Sequence, residues 1–145
     1  MKKVLQRTKK LKRVHADLVS LGADLIVGFP GERETDFLET LQGVKEYGIS
    51  KLHVFPFSEH HKGETIPASL YPEQIAQKVK KERENRLLIL GEQIRKKFIA
   101  KNAGIQHTVL VEEYRKGKWK GWTENYIQVE LTGEYQKGEI VLFSR

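Results

Sequence analysis

The sequence predicts an α/β fold followed by a small antiparallel β domain. Before Gly104, short apolar runs alternate with segments in which apolar residues recur every three or four positions, which is the strand and helix order of a parallel α/β fold. From His107 onward the apolar period is about two, which is typical of antiparallel strands with one buried face. We therefore place a domain boundary that separates residues 1–103 from residues 104–145.

The α/β part is predicted to run helix, strand, helix, strand and long helix. Apolar spacing predicts an amphipathic helix over about 4–21, ended by Gly22. The next apolar run, 24–28, is continuous rather than alternating, which favours a strand buried on both faces. Thr35 is the expected cap of the second helix, and Gly48 is its expected stop.

A second buried strand is predicted over 49–57. Because the right-handed crossover rule applies to a strand–helix–strand unit, the two strands should be parallel neighbours. The polar segment 58–71 contains Gly and Pro and is predicted to be a loop. Pro72 suits the first turn of the long helix, which Gly104 ends.

The β domain is predicted to contain four short strands. They cover 108–112, 118–121, 126–131 and 139–143, with turns at 115–117 and 132–137. Such a sheet or barrel of about 40 residues is marginal as an independent unit.

Composition excludes several classes of protein. The 145 residues are 39% apolar and 31% charged, which indicates a globular chain. No apolar run approaches the ~20 residues of a membrane span, and no secretory core follows the N-terminal lysines, so a cytoplasmic location is expected. The chain has no cysteine, which excludes a disulfide framework, a cysteine nucleophile and cysteine-bound zinc or iron–sulfur clusters within it.

The net charge of +7 is segmented along the chain. Residues 1–22 carry +6, residues 23–76 carry −5, residues 77–103 carry +6, and residues 104–145 are balanced. Both basic blocks are predicted helices, so they are either solvated helix faces or contacts for a phosphate backbone.

The turn after the first strand is a candidate ligand site. Gly28 and Gly31 remove side chains where the chain leaves the strand, so that backbone can approach a ligand closely. In α/β folds, ligands bind at this carboxyl end of the strands. The histidines His53, His60 and His61 lack a spacing that completes a metal-ligand set, so no metal site is predicted.

A second candidate site combines aromatic and basic residues in the β domain. Its members are Lys116, Lys118, Trp119, Lys120, Trp122, Asn125 and Tyr126. Aromatic rings beside lysines suit base stacking combined with phosphate contact. The alternative is that one tryptophan fills the core of the domain while the lysines keep it soluble.

Three segments together resemble a known enzyme family. They are Asp24–Glu32, Leu52–Ser58 and Gly121–Val129, and in this order they resemble the radical S-adenosylmethionine (SAM) methylthiotransferases over roughly residues 20–145. The chain looks like the end of the partial, TIM-like radical-SAM barrel followed by the small antiparallel TRAM domain, an OB-like β barrel. The second and third segments are most similar to the branch that modifies tRNA threonylcarbamoyladenosine.

This resemblance implies an activity and cofactors for a parent enzyme. The family inserts a methylthio group at an unreactive C–H position, using SAM and two four-iron four-sulfur clusters. The cluster cysteines of the family are absent from this chain, so it resembles a C-terminal portion of a truncated gene, a split subunit or an excised piece. We expect no catalytic residue, no bound metal or cofactor and no catalysis in this chain alone. The expected partners are tRNA and the missing N-terminal domains, or a second copy through an open sheet edge.

The resemblance also implies site residues. The first strand and its turn would lie beside the methionine or ribose part of SAM, and the second strand beside the adenine; the residues are Gly28, Phe29, Pro30, Gly31, Glu32, Val54 and Phe55. The aromatic and basic set above would contact tRNA. Two departures from the family pattern stand at Arg33, where Thr is usual, and in 58–65, which lacks the usual Arg.

Two alternatives stay open at the level of sequence. One is a stand-alone RNA-binding module without chemistry. The other is an unrelated βαβ domain that binds a phosphate at the turn between Gly28 and Gly31.

Overall fold

A computed structural model describes residues 18–58, 60–61, 64–65 and 67–144. These residues form two compact units. The first contains Leu21–Lys96, and the second contains 18–20 together with 97–144. Within these residues no helix is both long enough and apolar enough to cross a membrane.

The first unit is built on a βαβ arrangement. Its elements are β1 (Gly22–Val27), α1 (Glu34–Tyr47), β2 (Lys51–Pro56), the short pair β3 (His60–His61) and β4 (Glu64–Thr65), a 3₁₀ turn (Pro67–Leu70) and the start of α2 (Gln77–Lys101). Strands β1 and β2 are parallel neighbours, with Gly22 opposite Lys51 and Val27 opposite Pro56. The predicted parallel pair is therefore confirmed, whereas the barrel to which it would belong stays a prediction.

Among the residues that the structure describes, the helices cover one face of the β1–β2 pair. Val27 of β1 packs with Phe37 of α1 and Leu87 of α2 in the core of the unit. On the opposite face Ile26 is 59% exposed and its register partner Phe55 is 51% exposed. The prediction that this apolar run is buried on both faces is wrong, because both helices lie against the same side of the sheet.

Helix α1 begins earlier than predicted. Its cap is Arg33 rather than Thr35, because the Asp36 carboxylate accepts a hydrogen bond from the Arg33 backbone N–H at 2.9 Å and also binds the Arg33 guanidinium. The carboxylate thereby satisfies the N-terminal turn without a hydroxyl cap. The predicted stop is confirmed, since Gly48 takes a left-handed conformation with φ of 64°.

Helix α2 begins at Gln77, five residues after the predicted start at Pro72. The residues before Gln77 make hydrogen bonds with other parts of the unit. The carbonyl oxygen of Glu73 accepts a hydrogen bond from the Gly31 N–H at 2.9 Å. The Gln74 side chain also reaches back to the carbonyl of Tyr71. These bonds hold the chain out of a helical path until Gln77.

The predicted helix over 4–21 is wrong at its C-terminal end, and its earlier part lies outside the described residues. Residues 18–21 are not helical. The Leu21 N–H donates to Ser50 Oγ at 2.8 Å, and the Leu21 carbonyl accepts from the Ser50 N–H. These bonds extend the pairing of β1 and β2 by one residue, so the chain is already extended before Gly22.

The second unit is a four-stranded antiparallel sheet. Its strands are β5 (Gln106–Arg115), β6 (Lys118–Thr123), β7 (Gln128–Leu131) and β8 (Ile140–Ser144), in the order β7-β6-β5-β8. Val109 and Val111 of β5 have no exposed surface and pack with Val129, Leu131 and Phe98 at the end of α2. The predicted small antiparallel β domain is confirmed, whereas its closure into a barrel stays a prediction.

Gly121 offers a test of packing in this sheet. A Cβ at this position would lie 2.6 Å from the carbonyl oxygen of Leu110 and 2.5 Å from Val109 Cγ1. Because one of these neighbours is backbone, we expect Gly121→Ala to lower the free energy of unfolding by about 1–3 kcal/mol. Gly22→Ala is the matched control, since its nearest neighbour is the Lys51 carbonyl at 4.0 Å. Urea unfolding followed by far-UV circular dichroism, which reports on the elements of both units, measures both, and equal stabilities would contradict the packing described here.

Candidate functional site

The turn after β1 needs glycine at two positions. Gly28 and Gly31 have φ of 70° and 80°, which is the left-handed region that favours glycine. A Cβ on Gly28 would lie 2.4 Å from Lys80 Cγ, and one on Gly31 would lie 2.9 Å from Glu73 Oε2. Packing within the protein and backbone conformation are thus sufficient to explain both glycines.

The carboxylate of Glu32 closes this turn. Its Oε2 accepts a hydrogen bond from the Gly28 N–H at 3.1 Å, and its Oε1 accepts one from Arg83 Nη1 at 2.5 Å. The same Nη1 donates to the Glu32 carbonyl at 3.0 Å. Both carboxylate oxygens are used inside the protein, so Glu32 shapes the candidate site through the turn conformation.

Helix α2 supplies further cations near the turn. Lys80 is only 3% exposed, donates to the Phe57 carbonyl at 3.2 Å and lies 5.1 Å from the centre of the Phe57 ring. Arg86 lies 4.7 Å from the Phe37 ring centre and donates to Glu34 at 2.6 Å. The carboxyl ends of the two strands are therefore bordered by basic residues that bind the backbone, aromatic rings and carboxylates of the same unit.

The other predicted cofactor residues differ in accessibility. Phe29 is 43% exposed, and its ring lies 5.2 Å from that of Phe57 in an edge-on arrangement. Pro30 is buried. Val54 packs on the core side of β2, whereas Phe55 lies on the open face. A ligand could thus contact the side chains of Phe29 and Phe55. The other predicted residues could offer it only backbone atoms.

In the β domain, the two tryptophans of β6 lie on opposite faces of the sheet. Trp119 packs against the core and lies 5.3 Å from the Tyr114 ring. Trp122 is half-buried and faces the other side, opposite Leu110 of β5 and Gln128 of β7. The alternative in which one tryptophan fills the core therefore describes Trp119, and Trp122 is the tryptophan on the outer face.

The lysines of the outer face are close to carboxylates. Lys118 Nζ lies 2.6 Å from Glu130, and this hydrogen bond together with the lysine charge lowers the pKa of Glu130. Lys120 is half-buried and is the register partner of Glu130 and of Glu113. Lys116 is exposed in the β5–β6 turn with φ of 53°. Of these three lysines, Lys116 is thus the one that lies in a turn and not on a strand beside a carboxylate.

Asn125 belongs to a buried polar network. Its amide nitrogen donates to Asn102 Oδ1 at 2.8 Å and to the Leu18 carbonyl at 2.9 Å, while its oxygen accepts from Thr123 at 2.6 Å. The side chain therefore fixes the turn between β6 and β7. The next residue, Tyr126, is 63% exposed with φ of 61°.

A His–Glu pair lies beside this network, and the sequence reasoning did not single it out. Glu124 accepts hydrogen bonds from His107 Nδ1 at 2.9 Å and from the Thr108 N–H at 2.9 Å. His107 is 6% exposed, and its buried Nε2 has no hydrogen-bond partner among the described residues. The pair borders a cavity of about 340 Å³ that Asn125 and Tyr126 also line. The two-residue alternation that buries Val109 could have placed His107 on the inner face.

The chain does not fit an iron–sulfur cluster. Such clusters are held by cysteine thiolates, and the sequence contains no cysteine. Among the residues that the structure describes, no three or more His, Cys, Asp or Glu side chains are grouped so as to hold a metal ion.

The Glu124 contacts predict a pH-dependent contribution to stability. Burial raises the pKa of Glu124, but hydrogen bonds from His107 and Thr108 outweigh it, so the net pKa is lowered. A lowered folded-state pKa stabilises the fold above the unfolded value of about 4.3, and this is lost as the pH falls through the folded value. We expect Glu124→Gln to lower Tm at pH 7 and this deficit to shrink toward pH 3. Glu134→Gln, at an exposed position, is the control. A deficit that is the same at both pH values would contradict this account.

Comparison with known proteins finds relatives of one enzyme class. No protein-family model matches the chain. The chain is 37% identical to threonylcarbamoyladenosine tRNA methylthiotransferase MtaB of Bacillus subtilis over 93% of its length. It is 36% identical to ribosomal protein uS12 methylthiotransferase RimO of Clostridium acetobutylicum over 81% of its length. It is 41% identical to tRNA-2-methylthio-N(6)-dimethylallyladenosine synthase of Chloroflexus aurantiacus over 72% of its length.

The matched regions cover a limited share of these relatives. They span 30%, 26% and 23% of the three proteins, respectively. The relatives have different substrates in their names but share one reaction class. The chain therefore belongs to the radical-SAM methylthiotransferase family, as a C-terminal portion of such an enzyme.

Proposed function

We propose that the chain is the C-terminal portion of a methylthiotransferase that modifies threonylcarbamoyladenosine in tRNA. The similarity to MtaB over 93% of the chain supports this proposal. Relatives named for a ribosomal protein are similar to the same degree, so the choice of tRNA rests on the segments Leu52–Ser58 and Gly121–Val129. In this proposal the β1–β2 pair forms the last strands of the partial barrel, and the enzyme acts in the cytoplasm, where tRNA is found.

The open face of the first unit would form part of the SAM pocket. Ile26 and Phe55 are register partners and present an exposed apolar surface, which suits the flat adenine ring. The turn from Gly28 to Gly31 lies at the carboxyl end of β1, where ligands bind in α/β folds. In the complete enzyme, SAM held beside Ile26, Phe55 and this turn would supply the chemistry that activates an unreactive C–H bond.

The outer face of the β domain would contact tRNA. Trp122 offers a half-buried ring for base stacking. Tyr126, four residues later in the chain, offers an exposed ring. Lys116 and Lys120 would provide phosphate contacts. In this arrangement Lys118 contributes less, because Glu130 pairs with it, and Asn125 and Trp119 support the face from within the domain.

A phosphate site at the turn fits the geometry poorly. Glu32 already occupies the Gly28 N–H, and Asp36 occupies the N-terminal turn of α1. Hydrogen bonds from Arg33 lower the pKa of Asp36 to about 2, so this carboxylate stays ionised and keeps these bonds. The helix N-terminus therefore already binds a carboxylate of the protein where a phosphate would bind.

The open face and the strand edges of the first unit are surfaces that a partner would cover. Neither β1 nor β2 has a second strand neighbour in the described part of the chain, and Ile26 and Phe55 remain exposed. We propose that the N-terminal domains of such an enzyme cover this sheet, in the same chain or a separate one, and that a second copy does so when they are missing.

This proposal predicts that the chain alone is inactive. A radical-SAM reaction needs a thiolate-bound cluster, and no thiol is present. After anaerobic reconstitution with iron and sulfide we expect no stoichiometric iron and no cleavage of SAM. The stand-alone RNA-binding module shares this expectation, so the decisive step adds the N-terminal portion of a relative such as MtaB. Restored tRNA methylthiolation supports the enzyme portion, whereas cleavage of SAM by the chain alone would refute the proposal.

The RNA face predicts a distinct mutational pattern. Lys116→Ala and Lys120→Ala should each weaken tRNA binding and flatten its salt dependence by about one counterion. Trp122→Ala should cost roughly 1–3 kcal/mol of binding if the ring stacks on a base. Lys137→Ala, which removes an exposed lysine outside this set, is the matched control.

Fluorescence anisotropy at several salt concentrations measures these affinities, and circular dichroism checks that each variant folds. A folded Trp122→Ala protein with unchanged affinity would remove the ring from the interface. If the Lys116 and Lys120 double variant also binds as the wild type does, the basic face of helix α2 becomes the better candidate surface.

A further inference from the structure

The turn between β1 and α1 is held by an ion pair from a distant helix. We propose that Arg83 and Glu32 form a latch that fixes this turn in its ligand-receiving conformation, which makes Arg83 a positioning residue for cofactor binding. The inference rests on the proposed SAM pocket but names a residue of helix α2 that lies 51 positions away from Glu32.

The geometry of the latch is specific. Arg83 Nη1 donates to both the carbonyl and the carboxylate of Glu32, at 3.0 Å and 2.5 Å. The other carboxylate oxygen accepts the Gly28 N–H at 3.1 Å. Glu32 therefore connects the first residue of the turn to helix α2, and removal of Arg83 would remove the cation that pairs with its carboxylate in the described part of the chain.

The turn depends on the Arg83–Glu32 pair because its own glycine residues can adopt several backbone conformations. Glycines stand at both Gly28 and Gly31, and glycine adopts left-handed and right-handed conformations with similar ease. Within the turn, the Glu32 N–H donates a hydrogen bond to the Phe29 carbonyl at 2.9 Å. The Gly31 N–H donates another to the Glu73 carbonyl, also at 2.9 Å.

The latch is also protected from water. The Arg83 side chain is 5% exposed and that of Glu32 is 15% exposed. The pair is therefore weakly screened by salt, and loss of one partner leaves a buried charge uncompensated. Arg86 is the natural comparison, since it lies on the same helix and contacts both the Glu34 carboxylate and the Phe37 ring, as Arg83 does, but its side chain is 35% exposed.

Amide exchange of Gly28, followed by NMR on the full chain, tests the latch. In the wild type we expect this amide to be protected, and in Arg83→Gln we expect it to exchange about 10–100-fold faster, the loss expected for a charged hydrogen bond. The core amide of Val27 should keep its protection, which shows that the variant folds. Arg86→Gln should leave the Gly28 amide unchanged. If Arg83→Gln fails to fold, Glu32→Gln is read in the same way, because glutamine can replace one hydrogen bond but not the ion pair.

The link to the cofactor is tested on the chain combined with the cluster-loaded N-terminal portion of a relative such as MtaB, because no cofactor is expected to bind to this chain alone. Binding of radiolabelled SAM to this combination should be unchanged in Arg86→Gln and at least about tenfold weaker in Arg83→Gln. A folded Arg83→Gln protein with unchanged Gly28 protection would overturn the latch. Unchanged SAM affinity in that variant would overturn the positioning role. If the wild-type combination binds no SAM, the proposed SAM pocket fails, while the exchange data still decide the latch.

Discussion

The first unit depends on a one-sided packing constraint. Leu87 of helix α2 and Phe37 of helix α1 are almost completely buried against the same face of the β1–β2 pair. Since both helices occupy one side, every second residue of each strand is committed to the core and the alternate residues are left open. The exposure of Ile26 and Phe55 follows directly, and so does the position of the candidate ligand surface on the uncovered face.

The second unit is organised by buried hydrogen bonds as well as by apolar packing. Asn102 at the end of helix α2 and Asn125 in the β6–β7 turn bind each other, and Asn102 also donates to the Phe98 carbonyl. Buried amides of this kind are stable when their donors and acceptors find partners. The network therefore ties the helix end to the turn that precedes Tyr126, and it sets the position of the exposed ring on which the proposed tRNA contact depends.

Much of the fold follows from local sequence signals. Gly48 ends its helix as predicted because a left-handed stop needs only the glycine itself. The start of that helix was missed, because the cap depends on an Arg33–Asp36 pair rather than on a hydroxyl side chain. The start of α2 was missed for a similar reason, since the bonds made by Glu73 and Gln74 connect segments that are apart in sequence or turn the chain back on itself.

The candidate sites show the same limit. A continuous apolar run does not reveal which of its faces a helix covers, so the open side that carries Phe55 could not be predicted. The interleaving of aromatic and basic residues predicts an RNA contact in the β6 region, and this stays a prediction. The alternation of a strand then separates Trp119 from Trp122, but only the structure tells which of them is inside. The partners of Asn125 and Glu32 lie 23 and 51 residues away, and no local pattern indicates them.

Charge segregation along the chain finds a partial explanation in these long-range pairs. The acidic block contains Glu32 and Glu34, and the basic block contains Arg83 and Arg86, which bind them. Opposite charges that are separated in sequence are thus joined where α2 meets the turn after β1. Because these cations pair with carboxylates, the net charge of a segment overstates the number of positive charges that are available to bind a polyanion. A search for the RNA contact should therefore start from the individual exposed lysines, such as Lys116, rather than from the sequence blocks with the highest charge.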